Sequence, residues 1–274
     1  MLTDSQIKRL GHCRAIVCDL DGTLYLDGVP FPQAAAFLQS VLDSGRNLFY
    51  FTNNSSRSHQ SYIERLQNLG FPAQDDMLIS STDCAIHYLC RHGLYPEIFL
   101  LGTPDLQRDF AQAGFELLSP EQIKQNKVPR AVVLGFDTTL TYEKIHASYE
   151  LLNSGLPFIA THGDILCPVS RDRFKPDVGA FLAMFKTAIP TIQPVIVGKP
   201  SLEAVAAIVE RTHVNSDQTA FIGDRLYTDI RMANHSAMMA ILVLSGETSA
   251  EMAKASPDQP DLIVPGVESL IPFL

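Results

Sequence analysis

Short apolar runs alternate with stretches of helical spacing along most of this 274-residue chain. Residues 15–18, Ala-Ile-Val-Cys, form an apolar run of strand length that ends in Asp19 and Asp21. A turn-rich loop with Pro30 and Pro32 follows, then a helix over 34–42 closed by Gly45. A second apolar strand, 47–51, gives way to five small polar residues, Thr52-Asn53-Asn54-Ser55-Ser56. Tyr62, Ile63, Leu66 and Leu69 recur at helical spacing, and residues 78–80 read as a short strand feeding a helix that begins near Ser81 or Thr82. A second series comprises strands at 98–101, 131–136 and 158–160, with helices around Leu106, Phe110 and Ala113, over 142–152 and over 178–185. The first grammar then resumes. Val195-Ile196-Val197 runs into Gly198-Lys199-Pro200, a helix carries Leu202, Val205, Ala206 and Val209, and 219–222 runs into Gly223-Asp224. A short helix around 229–233 and strands at 239–243 and 262–264 complete the chain. Strand alternating with helix implies an α/β fold with a covered parallel sheet. The middle series holds enough elements for a second α/β domain, inserted at 82–190 between core pieces 1–81 and 191–274.

Four apolar strands thus end in chemistry: Asp19 with Asp21, Thr52 with Asn53, Lys199, and Asp224. Each alone reads equally as a turn, since Asp-Gly and Thr-Asn pairs close many strands. Together they point to the carboxyl edge of an open parallel sheet, where such folds bind ligands. Carboxylates at 19, 21 and 224 placed side by side repel one another unless a cation neutralises them. With no His or Cys in these strings, a hard, oxygen-seeking ion such as Mg²⁺ suits them better than zinc. The 19/21 pair permits one carboxylate to attack while the other moves a proton, and Lys199 and Thr52 offer charge and a hydroxyl to the oxygens of a phosphoryl group.

Composition narrows the partners. The formal charge of −9, with no Lys/Arg cluster, disfavours nucleic acid but leaves room for a small anionic substrate met by a metal or a focused lysine. A hydrophobic content of 46% against 19% charged residues supports a full core. No 18-residue apolar run implies a membrane span. The five cysteines are odd in number and lack paired close spacing, so free thiols in a reducing, cytoplasmic setting are expected.

Asp19-Leu20-Asp21-Gly22-Thr23-Leu24, Thr52-Asn53-Asn54, Gly198-Lys199-Pro200 and Gly223-Asp224-Arg225 through Asp229 resemble the four signature motifs of the haloacid dehalogenase-like (HAD) hydrolases. The order and the long insert between the second and third motifs resemble the subfamily IIA branch of NagD and the 4-nitrophenylphosphatases. The resemblance implies a Rossmann-like HAD core carrying an inserted α/β cap of type C2, and a Mg²⁺-dependent phosphatase acting on a small phosphorylated metabolite such as a sugar phosphate or nucleoside monophosphate. It further implies Asp19 as nucleophile forming an aspartyl-phosphate and Asp21 as general acid and base. Mg²⁺ would be held by Asp19, the Asp21 carbonyl and Asp224, with Asp229 as an outer partner. Thr52, Asn53 and Asn54 would grip the phosphoryl group, and Lys199 would orient Asp19. Relatives of this branch pair through their caps, so a homodimer is expected.

The chain departs from the resemblance at four places. His162, in the Thr161-His162-Gly163-Asp164 specificity loop, stands where relatives tend to have Asn and is expected to touch substrate. The loop over 170–177 brings three basic residues, Arg171, Arg173 and Lys175, toward an anionic leaving group. Thr138 replaces a common Arg, and Gln33 a common Gly. Two other functions stay open on the sequence: a phosphotransferase or mutase using the same intermediate, and a non-catalytic metabolite-binding protein.

Overall fold

The computed structural model describes residues 2–170 and 173–274. The chain forms two compact units, one from Met1–Thr52, Tyr62–Ile79 and Lys199–Leu274, the other from Asn53–Ser61 and Ser80–Gly198.

The first unit is built on a six-stranded, Rossmann-like sheet. Its strands lie in the order Leu262–Val264, Met239–Val243, Thr219–Gly223, Ala15–Asp19, Asn47–Thr52, Leu78–Ser80. The first, second and third strands in the chain thus step one way from Ala15–Asp19, and the later three step the other way. The strand order therefore reverses beside Ala15–Asp19 and Thr219–Gly223, and that reversal opens a crevice beyond their carboxyl ends. Ala15–Asp19 runs parallel to both its neighbours, with Cys18 opposite Ile222 and Asp19 opposite Phe51. Register alone therefore brings Asp19, Thr52 and Asp224 to one edge. Ile16, Cys18, Tyr50, Ile222, Ile241 and Phe37 pack in a fully buried core. That accounts for near-continuous apolar strands in place of alternating ones.

The second unit holds a five-stranded sheet in the order Val195–Ile196, Phe158–Ala160, Ala131–Leu134, Glu97–Leu101, Glu116–Leu117. Its core gathers Phe99, Val132, Leu134, Phe158 and Phe185. Asn53–Ser61 is tied into it by the small polar side chains that the sequence displays. Ser81 Oγ donates to the Asn53 carbonyl at 2.6 Å, Ser55 Oγ accepts the Phe136 amide and bonds Thr161 Oγ1, and Thr103 Oγ1 donates to the Ser56 carbonyl.

Three expectations are corrected here. Val195–Ile196 pairs in parallel with Phe158–Ala160 and so belongs to the second sheet. Lys199 therefore arrives from that sheet, and three strands of the core sheet, not four, end in the predicted chemistry. An apolar run specifies a strand but not which sheet it joins. The stretch 25–32 includes a small hairpin, Tyr25–Leu26 against Val29–Pro30, and the expected loop over 170–177 is largely a strand, Arg173–Pro176, antiparallel to Leu166–Ser170. Arg173 and Lys175 are exposed on it, while Arg171 lies outside the described residues. Gln33 sits at φ 60 before the helix Ala34–Asp43, in the backbone region a glycine enters freely. Among the described residues no helix is long and apolar enough to cross a membrane, and no disulfide joins any of the five cysteines.

Candidate active site

Asp19 ends its strand half-buried, and its Oδ1 meets Lys199 Nζ at 2.5 Å. The same ammonium lies 2.7 Å from Asp229 Oδ1 and 5.2 Å from the centres of both the Phe51 and Phe221 rings. Two carboxylates and two aromatic faces thus hold one buried positive charge, an arrangement in which each contact favours the ammonium. Burial opposes the Lys199 charge, yet Asp19 and Asp229 outweigh it and keep the amine protonated well above the ordinary lysine range.

Asp224 follows the strand Thr219–Gly223 and is buried. Its Oδ2 accepts the Glu247 amide at 2.7 Å, and its Oδ1 lies 3.5 Å from Thr23 Oγ1, which also reaches Asp19 Oδ2 at 3.4 Å. Oxygens of Asp19, Asp224 and Asp229 all fall within 4.8 Å of one another. Desolvation pushes the Asp19 carboxyl up from its usual range; Lys199 opposes that rise and Asp229 adds to it. Desolvation also raises Asp224, reinforced by the charges of Asp19 and Asp229. Three carboxylates, two of them buried and one half-buried, set against one ammonium leave an excess of negative charge among oxygen donors only, which is what a hard divalent cation requires. The residues present fit such an ion.

The Gly22 backbone, at φ +90, passes so close to Asp224 that a Cβ there would strike its carboxylate. Gly246 crowds the same carboxylate from the loop after Met239–Val243, whose Ser245 hydroxyl donates to the Gly22 carbonyl at 2.8 Å. This loop, Thr23 and the Glu247 amide were not read from the sequence. Backbone donors carry no residue signature, and only the glycine at 246 hinted at a close approach.

Asp229 stands beside Asp19 and Asp224 in the carboxylate group. Its Oδ2 accepts the Arg225 amide at 3.1 Å as a turn acid would, while its Oδ1 serves Lys199. The Asp21 side chain is separate from that group; Tyr25 Oη donates to its Oδ2 at 3.4 Å. Thr52 is buried at the end of Asn47–Thr52. Asn53, Asn54 and His162 belong to the second unit. The Asn53 carboxamide donates to Asp164, and Asn54 Oδ1 closes a turn by accepting the Ser56 amide and hydroxyl. His162 is 0% exposed. It follows the strand Phe158–Ala160 at the carboxyl edge of its sheet.

Comparisons with known proteins agree with this geometry. Residues 16–116 match a haloacid dehalogenase-like hydrolase family and residues 196–270 a HAD-hydrolase-like family. A crystal structure of 4-nitrophenylphosphatase from Thermotoga maritima superposes with a TM-score of 0.89 at 34% identity, over 96% of this chain and 98% of that one. The glycerol-3-phosphate phosphatase of Gallus gallus is 29% identical over 97% of this chain and 93% of its own length. The ribonucleotide monophosphatase NagD of Escherichia coli K12 is 29% identical over 93% and 97%. The chain belongs to the haloacid dehalogenase-like hydrolases, in their NagD and 4-nitrophenylphosphatase-like branch, and is an enzyme of the HAD phosphatase type.

Proposed function

We propose that the chain is a Mg²⁺-dependent phosphatase that hydrolyses small phosphate monoesters through an aspartyl-phosphate on Asp19. The observation that carries this reading is the convergence of Asp19, Asp224 and Asp229 oxygens within 4.8 Å, with Lys199 bridging Asp19 and Asp229. Asp19, Asp224 and Asp229, together with the Asp21 carbonyl, would hold the ion, and when bound it would supply Lewis-acid neutralisation of the phosphoryl oxygens.

The chain's own residues account for the rest. An Asp19 carboxylate oxygen attacks phosphorus, and the bond to the leaving oxygen breaks. Lys199, pinned by Asp229, fixes the Asp19 carboxylate and offsets its charge as an anionic substrate approaches. Asp21 gives its proton to the leaving alkoxide, then takes one from the water that cleaves the acyl phosphate, so each carboxylate ends as it began. The Tyr25 phenol holds Asp21 in place for both transfers. Thr52 and the Asn53 amide next to it grip the phosphoryl oxygens. The named relatives act on different phosphate esters, as a site reading the phosphate first would allow.

Release of inorganic phosphate from 4-nitrophenyl phosphate with Mg²⁺, abolished by a chelator, tests the reading. Turnover unaffected by the chelator would refute its metal dependence. A rate panel over sugar phosphates and nucleoside monophosphates then ranks the substrates.

The raised carboxyls give a second expectation. Because Asp19 and Asp224 hold protons more tightly in the fold than in the unfolded chain, the ion-free fold loses stability as pH climbs from the ordinary carboxylate range, near 4, toward the raised values. A cation bound to the ionised cluster offsets that loss. The rise in melting temperature on adding Mg²⁺ should therefore be larger at pH 8 than at pH 5, and an equal rise at both would count against the cluster as the binding site.

Two copies pairing through the second unit, in a cytoplasmic setting, complete the reading. Ile165, Leu166 and Phe174 stand exposed there, and sedimentation mass decides whether they are covered.

A further inference from the structure

The imidazole of His162 is the one buried titratable group in the second unit's specificity loop that the proposed reaction leaves unused. It is wholly buried, and two carboxylates flank it: Asp164 Oδ2 lies 3.7 Å from Nδ1, and Asp177 Oδ1 lies 3.6 Å from Nε2. Nδ1 accepts the Asp164 backbone amide at 3.4 Å, which assigns the proton of the neutral ring to Nε2. That Nε2 makes no hydrogen bond, and the carboxylate in front of it caps the helix Val178–Ala188, with Asp177 Oδ1 accepting the Val178 amide at 2.7 Å. On its other side Asp164 receives the Asn53 carboxamide at 3.3 and 3.4 Å, and the Asp164 carbonyl accepts the Gly179 amide at 2.8 Å. A Cβ on Gly198 would press on the Thr161 carbonyl, on Asn53 Oδ1 and on His162 Cβ together. The ring therefore stands where the residue after Thr52 and the residue before Lys199 come against one loop.

We propose that His162 is a positioning residue: its imidazole accepts the Asp164 amide, stands with Nε2 facing the Asp177 carboxylate, and so keeps the Asp164 carboxylate on the Asn53 carboxamide, beside Thr52. The proposal rests on the reading of Asn53 as a phosphoryl-gripping residue. An imidazole spans this gap because its two nitrogens face opposite ways on a rigid ring. An Asn side chain at 162 retains an acceptor near the Nδ1 position but falls short of Asp177. A Gln retains a donor near the Nε2 position and loses the acceptor. Because the ring touches Asp164, and Asp164 holds a group that reads the phosphate, its loss acts on every substrate alike. A residue that contacted the leaving group would instead change the order of preference among substrates.

The experiment pairs a spectroscopic with a kinetic readout. In the resting wild-type protein, ¹⁵N-resolved imidazole correlations should show His162 with a proton on Nε2 and none on Nδ1; a proton on Nδ1 would overturn the proposal whether or not the enzyme is active. His162→Ala should raise KM by about three- to tenfold, by the same factor for 4-nitrophenyl phosphate and for an alkyl phosphate, with a smaller change in kcat. His162→Asn should recover part of that loss and His162→Gln none. Unequal factors between the two substrates, or an unchanged KM, would overturn the proposal. Failure of the wild type to release phosphate from either ester would instead strike the phosphatase reading, while the tautomer would still report on the linkage. Should the Ala variant fail to fold, the tautomer and the Asn and Gln variants decide the matter.

Discussion

Replacing Asp19 by Asn should lower Mg²⁺-dependent phosphate release by at least about a thousandfold, since no covalent intermediate can then form at that position. The substitution is nearly isosteric and removes one charge from a buried cluster that already carries an excess of negative charge. Desolvation penalises the Asp19 carboxylate. The variant's fold is therefore expected to match or exceed the wild type in stability, which separates chemistry from structure. Lys199 loses one of its two carboxylate partners but keeps Asp229 at 2.7 Å. Circular dichroism and thermal unfolding measure the fold, and mass spectrometry of acid-quenched wild type with substrate should find one added phosphoryl group that the variant lacks. Near wild-type turnover in the variant would remove Asp19 from the nucleophile's role.

Lys199→Met is the companion case with the opposite structural sign. Methionine fills much of the same volume between the Phe51 and Phe221 rings, so packing is largely kept, but Asp19 and Asp229 lose their shared ammonium. Deleting one partner of a buried ion pair costs about 3–5 kcal/mol, because a charge stays behind without compensation. Here two stay behind, next to Asp224. The destabilisation should therefore shrink as pH falls toward 4, because the raised Asp19 and Asp224 carboxyls take up protons on the way, and it should shrink also on adding Mg²⁺. Turnover should fall by about a hundredfold or more, as when one electrostatic stabiliser of a charged transition state is removed. Lys199→Arg should not restore it, because a planar guanidinium is larger than the box formed by two rings and two carboxylates. Denaturant unfolding at two pH values, alongside kcat, checks each arm. A loss of stability independent of pH would mean that packing, and not charge, is what Lys199 supplies.

Much of this site was legible from the chain because it rests on strand ends. An apolar run that stops at Asp19, and another that stops at Gly223-Asp224, already state where buried backbone gives way to charge, and parallel register does the rest. Other parts were hidden for physical reasons. Asp229 looks the same in sequence whether it closes a turn or joins a group of carboxylates, and in the fold its Oδ2 accepts the Arg225 amide while its Oδ1 meets Lys199. The burial of His162 between Asp164 and Asp177 has no signature in the sequence, because the flanking acids lie two and fifteen residues away and only the fold brings them to its ring. Val195–Ile196 is too short for its pattern to name its sheet. The Glu247 amide and the Gly22 carbonyl act through the main chain, which every residue shares.

The affiliation of Asn53–Ser61 with the second unit bears on how specificity in such a chain can be re-engineered. A chimera that exchanged only 80–198 for the corresponding stretch of a relative would leave behind a nine-residue strap whose hydroxyls were matched to the old partner, with Ser55 facing Phe136 and Thr161, and Ser56 facing Thr103. A graft in two pieces, with its junctions after Thr52 and before Lys199, moves those bonds intact. Both outermost seams then fall directly against residues that the proposed reaction uses, so transplants that change substrate preference without loss of rate should be those that leave Thr52 and Lys199 native and carry the strap along.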